Sequence, residues 1–189
     1  MTKYTAWIDS ISQIVFSGCY KIENKEVKLD KALDEITRLI LDVKKKNGCV
    51  WLIGNGGSAA LASHFSQDLL NKHSVKSTTL SDVSLLTCLS NDYGYDKAYK
   101  KALEVLADEG DLFVIISSSG NSENVNMCAD FASERGIKLV ALTSFGRDNK
   151  LFNKAAGVSI YIPTTEYGKA EIGHASLLHS VIDNLQCDN

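Results

Sequence analysis

Apolar residues in the first fifty positions recur at helical intervals. Trp7, Ile8, Ile11, Ile14, Val15 and Cys19 follow three- and four-residue steps over residues 3–20, the stripe of an amphipathic helix. Leu29, Leu33, Ile36, Ile40 and Val43 repeat the pattern in a second helix. It ends in Lys44, Lys45 and Lys46, where cations suit the carboxyl end of the helix dipole, with Gly48 as the stop. The lysine run therefore reads as a solvated helix end and not as a nucleic-acid site. From residue 49 the period changes. Short apolar runs at 49–53, 112–116, 138–142 and 158–162 predict buried strands, with 77–80 a weaker fifth, and helical stretches near 57–72, 84–106, 122–135 and 168–186 separate them. This alternation predicts an α/β, three-layer architecture: one domain over 1–189, with an N-terminal helix pair (1–47) and a core (48–189) built on a five-stranded parallel sheet flanked by helices.

The chain has 189 residues, enough for one core that removes roughly two-thirds of the unfolded surface from water. A net charge of -3 offers no general attraction to nucleic acid or to an anionic membrane, so an anionic ligand must be held by local geometry. The five cysteines, Cys19, Cys49, Cys88, Cys128 and Cys187, are odd in number and scattered, which reads as reduced thiols. The opening MTKYTAWIDSISQIVF lacks the uninterrupted apolar core of a secretory signal, and no stretch has the apolar length of a membrane span. A cytoplasmic location is expected.

Candidate chemistry lies where two of the predicted strands end. Gly54-Asn55-Gly56-Gly57-Ser58-Ala59 follows the first, and Ser117-Ser118-Ser119-Gly120-Asn121-Ser122 follows the strand at 112–116. Glycines let the backbone approach an anion closely, while hydroxyls and helix-start amides donate hydrogen bonds to it. One such loop is ordinary punctuation between a strand and a helix. Two at equivalent strand ends predict a phosphate site. The first lacks both the Gly-Lys-Ser/Thr ending of a P-loop and the full glycine spacing of a dinucleotide fingerprint, so a sugar phosphate fits better than a nucleotide.

Together GNGGSA, HFSQDL, SDVSLLTCLSNDYGY, SSSGNSENV and AEIGHASLLH resemble, in order and spacing, the bacterial phosphoheptose isomerases, and the resemblance runs through to residue 186. It implies a sugar isomerase (SIS) fold and a homotetramer with active sites at subunit interfaces; no nucleic-acid or membrane partner is expected, on the charge and apolar pattern above. It also implies conversion of sedoheptulose 7-phosphate to D-glycero-D-manno-heptose 7-phosphate for lipopolysaccharide or capsule. Carried over by position, Ser58, Ser117, Ser118, Ser119 and Ser122 face the phosphate beside Gly56 and Gly57, while Asn55 and Asp92 contact the sugar. Lys72 stands where an arginine is usual. His179 matches the catalytic histidine, and Asp68 falls where the catalytic glutamate is found. His64, Asp68, Glu171 and His179 stand where zinc-containing members hold their metal.

Moving a proton between adjacent carbons needs a base and an acid, and a carboxylate with an imidazole suffices. Asp68 is assigned as the base and His179 as the hydroxyl-proton shuttle, with the reverse left open; burial would have to lift the carboxyl toward neutral pH. His64 and Asp68, four apart, share one helix face. Eight helical residues would separate Glu171 from His179 by about 12 Å, so they converge only if Glu171 precedes the regular helix or different subunits contribute. His73 and His174 are read as structural. Asp68 for glutamate, Glu171 for glutamine, Lys72 for arginine and Gly168 for an aspartate depart from the family pattern and bear on substrate identity. Two other readings stay open: a non-catalytic SIS module that binds a sugar phosphate or DnaA, and an isomerase of another phosphosugar.

Overall fold

A computed structural model of the chain describes residues 2–154 and 157–186; Cys187 lies outside the described residues. Helix α1 (Lys3–Phe16) leads into strands β1 (Cys19–Ile22) and β2 (Lys25–Val27), then helix α2 (Leu29–Lys45). Strand β3 (Val50–Gly54), helix α3 (Gly57–His73), strand β4 (Ser77–Thr79), and helices α4 (Val83–Tyr93) and α5 (Tyr95–Leu106) follow. The rest comprises β5 (Leu112–Ser117), α6 (Glu123–Glu134), β6 (Lys138–Thr143), β7 (Val158–Tyr161) and α7 (Tyr167–Asn184).

The sheet has seven strands in the order β2-β1-β7-β6-β5-β3-β4, and not five. Its central five, β4-β3-β5-β6-β7, are parallel as expected. The difference is a hairpin inside the expected helix pair. Glu23 and Asn24 both take positive φ, 46° and 66°, closing a two-residue turn between β1 and β2. β1 then pairs antiparallel with β7, Cys19 opposite Tyr161, and covers what would be an open edge. The first helix accordingly stops at Phe16 and not near residue 20. The expected helix over 84–106 is also two, because Gly94 takes φ 91° between them.

Side chains alternate across the parallel strands into two cores. Val50, Leu52, Val114, Ile116, Val140 and Leu142 pack with α2, α3 and α7. Trp51, Ile53, Phe113, Ile115 and Leu139 pack with α5 and α6. Both faces are thus covered, which is why the strands read as unbroken apolar runs. Asp111, just before β5, anchors the amino end of the sheet by accepting from the Cys49 amide at 2.7 Å, the Trp51 indole N–H at 2.7 Å and the Asp108 amide at 2.9 Å.

His174 on α7 is completely buried. Its Nε2 lies 3.1 Å from the Thr143 carbonyl and 3.3 Å from Ser144 Oγ, so the geometry assigns the proton to Nε2. Burial drives its pKa down to about 4, only partly opposed by the bond to Thr143. Unfolding restores the ordinary value near 6.5, so between those limits the unfolded chain binds the extra proton. Stability therefore falls as pH drops from about 6.5 toward 4, by roughly 3 kcal/mol at most. Urea unfolding at pH 7.5 and pH 5 measures the loss, and His174→Gln should reduce that pH-dependent difference while lowering stability at both.

Candidate active site

In the parallel part of the sheet the chain turns from β3 to β4 on one side and to β5 on the other, so the loops after β3 and β5 diverge. Such a switch point opens a crevice beyond the carboxyl ends of the strands. Register places Gly54 opposite Ile116, which brings the two loops side by side. A cavity of about 250 Å³ lies between them, lined by Asn55, Gly56, Gly57, Ser58, Ser117, Ser118, Ser119 and Ser122, with Ile116, Tyr167 and Glu171. Eight of the ten residues assigned to the ligand thus share one cavity. The starts of α3 and α6 flank it, and neither carries a side-chain hydrogen bond from its N-cap residue. Positive helix-dipole ends and hydroxyls converge there on one small volume.

The serine loop is held rigidly. Gly120, at φ 64°, donates its N–H to the Ser117 carbonyl at 3.1 Å, and its own carbonyl accepts from Leu151 N at 3.0 Å and Asn126 Nδ2 at 3.1 Å. The same Asn126 nitrogen donates to the Ser122 carbonyl at 2.9 Å. At the other loop, Gly54 abuts the Ser58 backbone so closely that a Cβ would lie 2.8 Å from its carbonyl carbon.

The remaining two assigned ligand residues lie elsewhere. Lys72 Nζ is 3.0 Å from Asp68 Oδ2 and 4.0 Å from Asp183, and it does not line the cavity. Its charge is spent on carboxylates. Asp92 is on the exposed helix α4, accepting from Asn91 Nδ2 at 3.0 Å, and is also outside the cavity lining.

A second cluster forms where α3 packs against α7. Asp68 Oδ2 lies 3.7 Å from His64 Nε2 and 3.7 Å from His179 Nδ1, and the two imidazoles meet edge to face with centroids 5.1 Å apart. One ligand atom from each of the three falls within 4.8 Å of the others, a donor set suited to a metal ion. Glu171 is the exception among the four assigned metal ligands. It lies within α7, in the regular helix, and faces the other loop: a Cβ on Gly57 would overlap its carboxylate. Within one chain Glu171 belongs to the phosphate-side cavity and the other three to the cluster, about 12 Å away along the helix, as its rise requires.

The Asp68 carboxyl also departs from expectation. Burial pushes its pKa up, but the hydrogen bond and charge of Lys72, joined by His64 and His179, outweigh burial and hold it below its ordinary value. The carboxylate is ionised at neutral pH, which suits a cation ligand better than a strong base. The lysine one turn along α3 is the sequence signal for this reversal.

The doubly covered sheet and its paired serine and glycine loops define a sugar isomerase domain, and the SIS domain model matches residues 20–144. Within that class the chain belongs to the phosphoheptose isomerase family. It is 32% identical over 182 residues to the phosphoheptose isomerase of Geobacter sulfurreducens, covering 93% of this chain and 95% of that one. Among solved structures it resembles phosphoheptose isomerase GmhA from Neisseria gonorrhoeae, with a TM-score of 0.82, 28% identity and coverage of 97% and 98%. A phosphoheptose isomerase from Francisella tularensis superposes equally well, at 25% identity and 97% coverage of each chain. Among the described residues no helix is long and apolar enough to cross a membrane.

Proposed function

We propose that the chain interconverts sedoheptulose 7-phosphate and D-glycero-D-manno-heptose 7-phosphate, supplying heptose for lipopolysaccharide or capsule. The observation that carries this reading is the convergence of both serine and glycine loops on one cavity, with an acid and two imidazoles on the adjoining helices. The phosphate sits against Ser58, Ser117, Ser118, Ser119 and Ser122, with Gly56 and Gly57 allowing backbone approach and Asn55 meeting the sugar. His179 carries the proton between C1 and C2 through an enediolate, and ionised Asp68 orients it. His179 thus takes over the carbon-proton transfer expected of Asp68 from the sequence, and the lowered Asp68 pKa supports this assignment.

His64, Asp68 and His179 would hold zinc, which when bound would polarise the carbonyl and hydroxyl oxygens of the substrate. A fourth ligand, Glu171, joins them only across a subunit boundary. The exposed apolar groove of about 540 Å³ formed by Trp7, Ile8, Ile11, Phe16 and Ile172, and a helix α4 with no buried residue, support a homotetramer whose sites lie at interfaces. Exposed apolar surface of that kind is suited to covering by another chain. Asp92, outside this chain's cavity lining, would then meet the sugar only from a neighbouring subunit.

The test is incubation with sedoheptulose 7-phosphate in deuterated water, with and without chelator. Deuterium should enter at C1 or C2. Exchange that survives chelation assigns the chemistry to the acid–base pair, and exchange lost to chelator but restored by zinc assigns it to the metal. No exchange under either condition, with tight sugar-phosphate binding, would replace the enzyme reading by a binding module.

A further inference from the structure

Asn55, the first residue after β3, lines the cavity, and its amide is fixed from two sides. Its Oδ1 accepts from the Tyr95 hydroxyl at 2.7 Å and from Asn124 Nδ2 at 2.9 Å. Its Nδ2 donates to Asn124 Oδ1 at 3.0 Å, making a reciprocal amide pair. Which end of each amide is oxygen follows from the network. Asn124 Oδ1 also accepts the Val125 backbone N–H at 3.0 Å, a bond only a carbonyl oxygen can take, and the pairing then sets Asn55. Asn124 is buried at the start of α6. Tyr95 opens α5 directly after Gly94, whose φ of 91° turns the chain there, and Tyr99 one turn later donates its hydroxyl to the Gly54 carbonyl at 2.9 Å. Two helices that are distant in sequence, α5 and α6, therefore grip one side chain that lines the cavity.

An amide oxygen has two acceptor sites and its nitrogen two N–H groups. Both acceptor sites of Asn55 and one N–H are already used. We propose that Tyr95 and Asn124 are positioning residues that hold Asn55 so that it offers the bound sugar one N–H donor and no acceptor. The ligand atom it selects is an oxygen bearing a lone pair, such as the ketose carbonyl or the oxyanion that develops from it. The proposal rests on the sugar-phosphate reading above for its ligand, while the hydrogen-bond network stands independently of any reaction.

Because Tyr95 acts through Asn55, the two residues must be coupled, and a double-mutant cycle reads that coupling. Affinity for sedoheptulose 7-phosphate is measured by calorimetry, and kcat and KM by the deuterium exchange. Tyr95→Phe should weaken sugar-phosphate affinity about three- to tenfold, the scale of one hydrogen bond, and leave the affinity for inorganic phosphate unchanged. In an Asn55→Ala background the same substitution should do nothing further. Asn124→Asp, which keeps the acceptor for Val125 but removes the donor to Asn55, should act in the same direction. Additive losses, or equal loss of inorganic phosphate binding in Tyr95→Phe, would overturn the positioning role. Binding without deuterium exchange by the unmodified chain would sink the isomerase reading and leave this cycle interpretable; absence of sugar-phosphate binding would sink both.

Discussion

Replacing His179 with alanine is expected to lower isomerisation turnover by about 10²- to 10⁴-fold, the usual contribution of a positioned acid–base group. The imidazole stands 3.7 Å from Asp68 and is half exposed, so its removal opens no core cavity and should leave the thermal transition near that of the parent chain. Affinity for inorganic phosphate should also persist, because the serine loops lie toward the other end of α7. Kinetics with calorimetry on the same preparation separate these outcomes. Unchanged turnover would remove His179 from the chemistry, and loss of phosphate affinity would mean that the cluster and the cavity are one rigid unit. His64→Ala gives the complementary result: if the cluster works as a zinc site, it should abolish stoichiometric zinc, and His179→Ala should do the same.

Gly120→Ala should be nearly as damaging by a different route. At φ 64° an added Cβ costs about 1–2 kcal/mol in the backbone alone. It would also overlap the Asn149 side chain, which donates to the Gly146 carbonyl at 2.7 Å and accepts from Phe152 N at 2.8 Å. Displacing it loses these two hydrogen bonds, for a total of about 2–5 kcal/mol. Since Gly120 sets the Ser117–Ser122 turn, phosphate affinity should fall at least tenfold. Gly136→Ala is the control: its φ is 67°, but nothing lies within 4 Å of the added atom. That variant should show only the backbone cost and bind phosphate normally. Equal behaviour of the two variants would mean that the loop's shape does not depend on the Asn149 contact.

Parts of the molecule differ in how far the sequence alone reveals them. The five parallel strands could be read because each is buried on both faces and so appears as an uninterrupted apolar run. The β1–β2 hairpin could not. Its strands are four and three residues long, it follows helical periodicity directly, and its only local mark is Asn24 in the turn. What stabilises it is pairing with β7, more than a hundred residues away. Gly94 was visible in the sequence, yet a glycine within a helical pattern does not by itself say whether the helix bends or stops.

The sequence alone determined the parallel α/β core, the two serine and glycine loops and the residues capable of acid–base or metal chemistry, because periodicity and residue type are local properties. Only the tertiary structure decided which of these meet. Strand order set the two loops on either side of one switch point, and the contact of α3 with α7 gathered His64, Asp68 and His179 while the helical rise kept Glu171 apart. It also placed Lys72 beside Asp68 and outside the cavity lining, reversing the direction of the carboxyl's pKa, and it joined Tyr95 and Asn124 to Asn55. Each of these outcomes depends on distances between residues far apart along the chain, and these are fixed only when the sheet and its helices close around their shared cores.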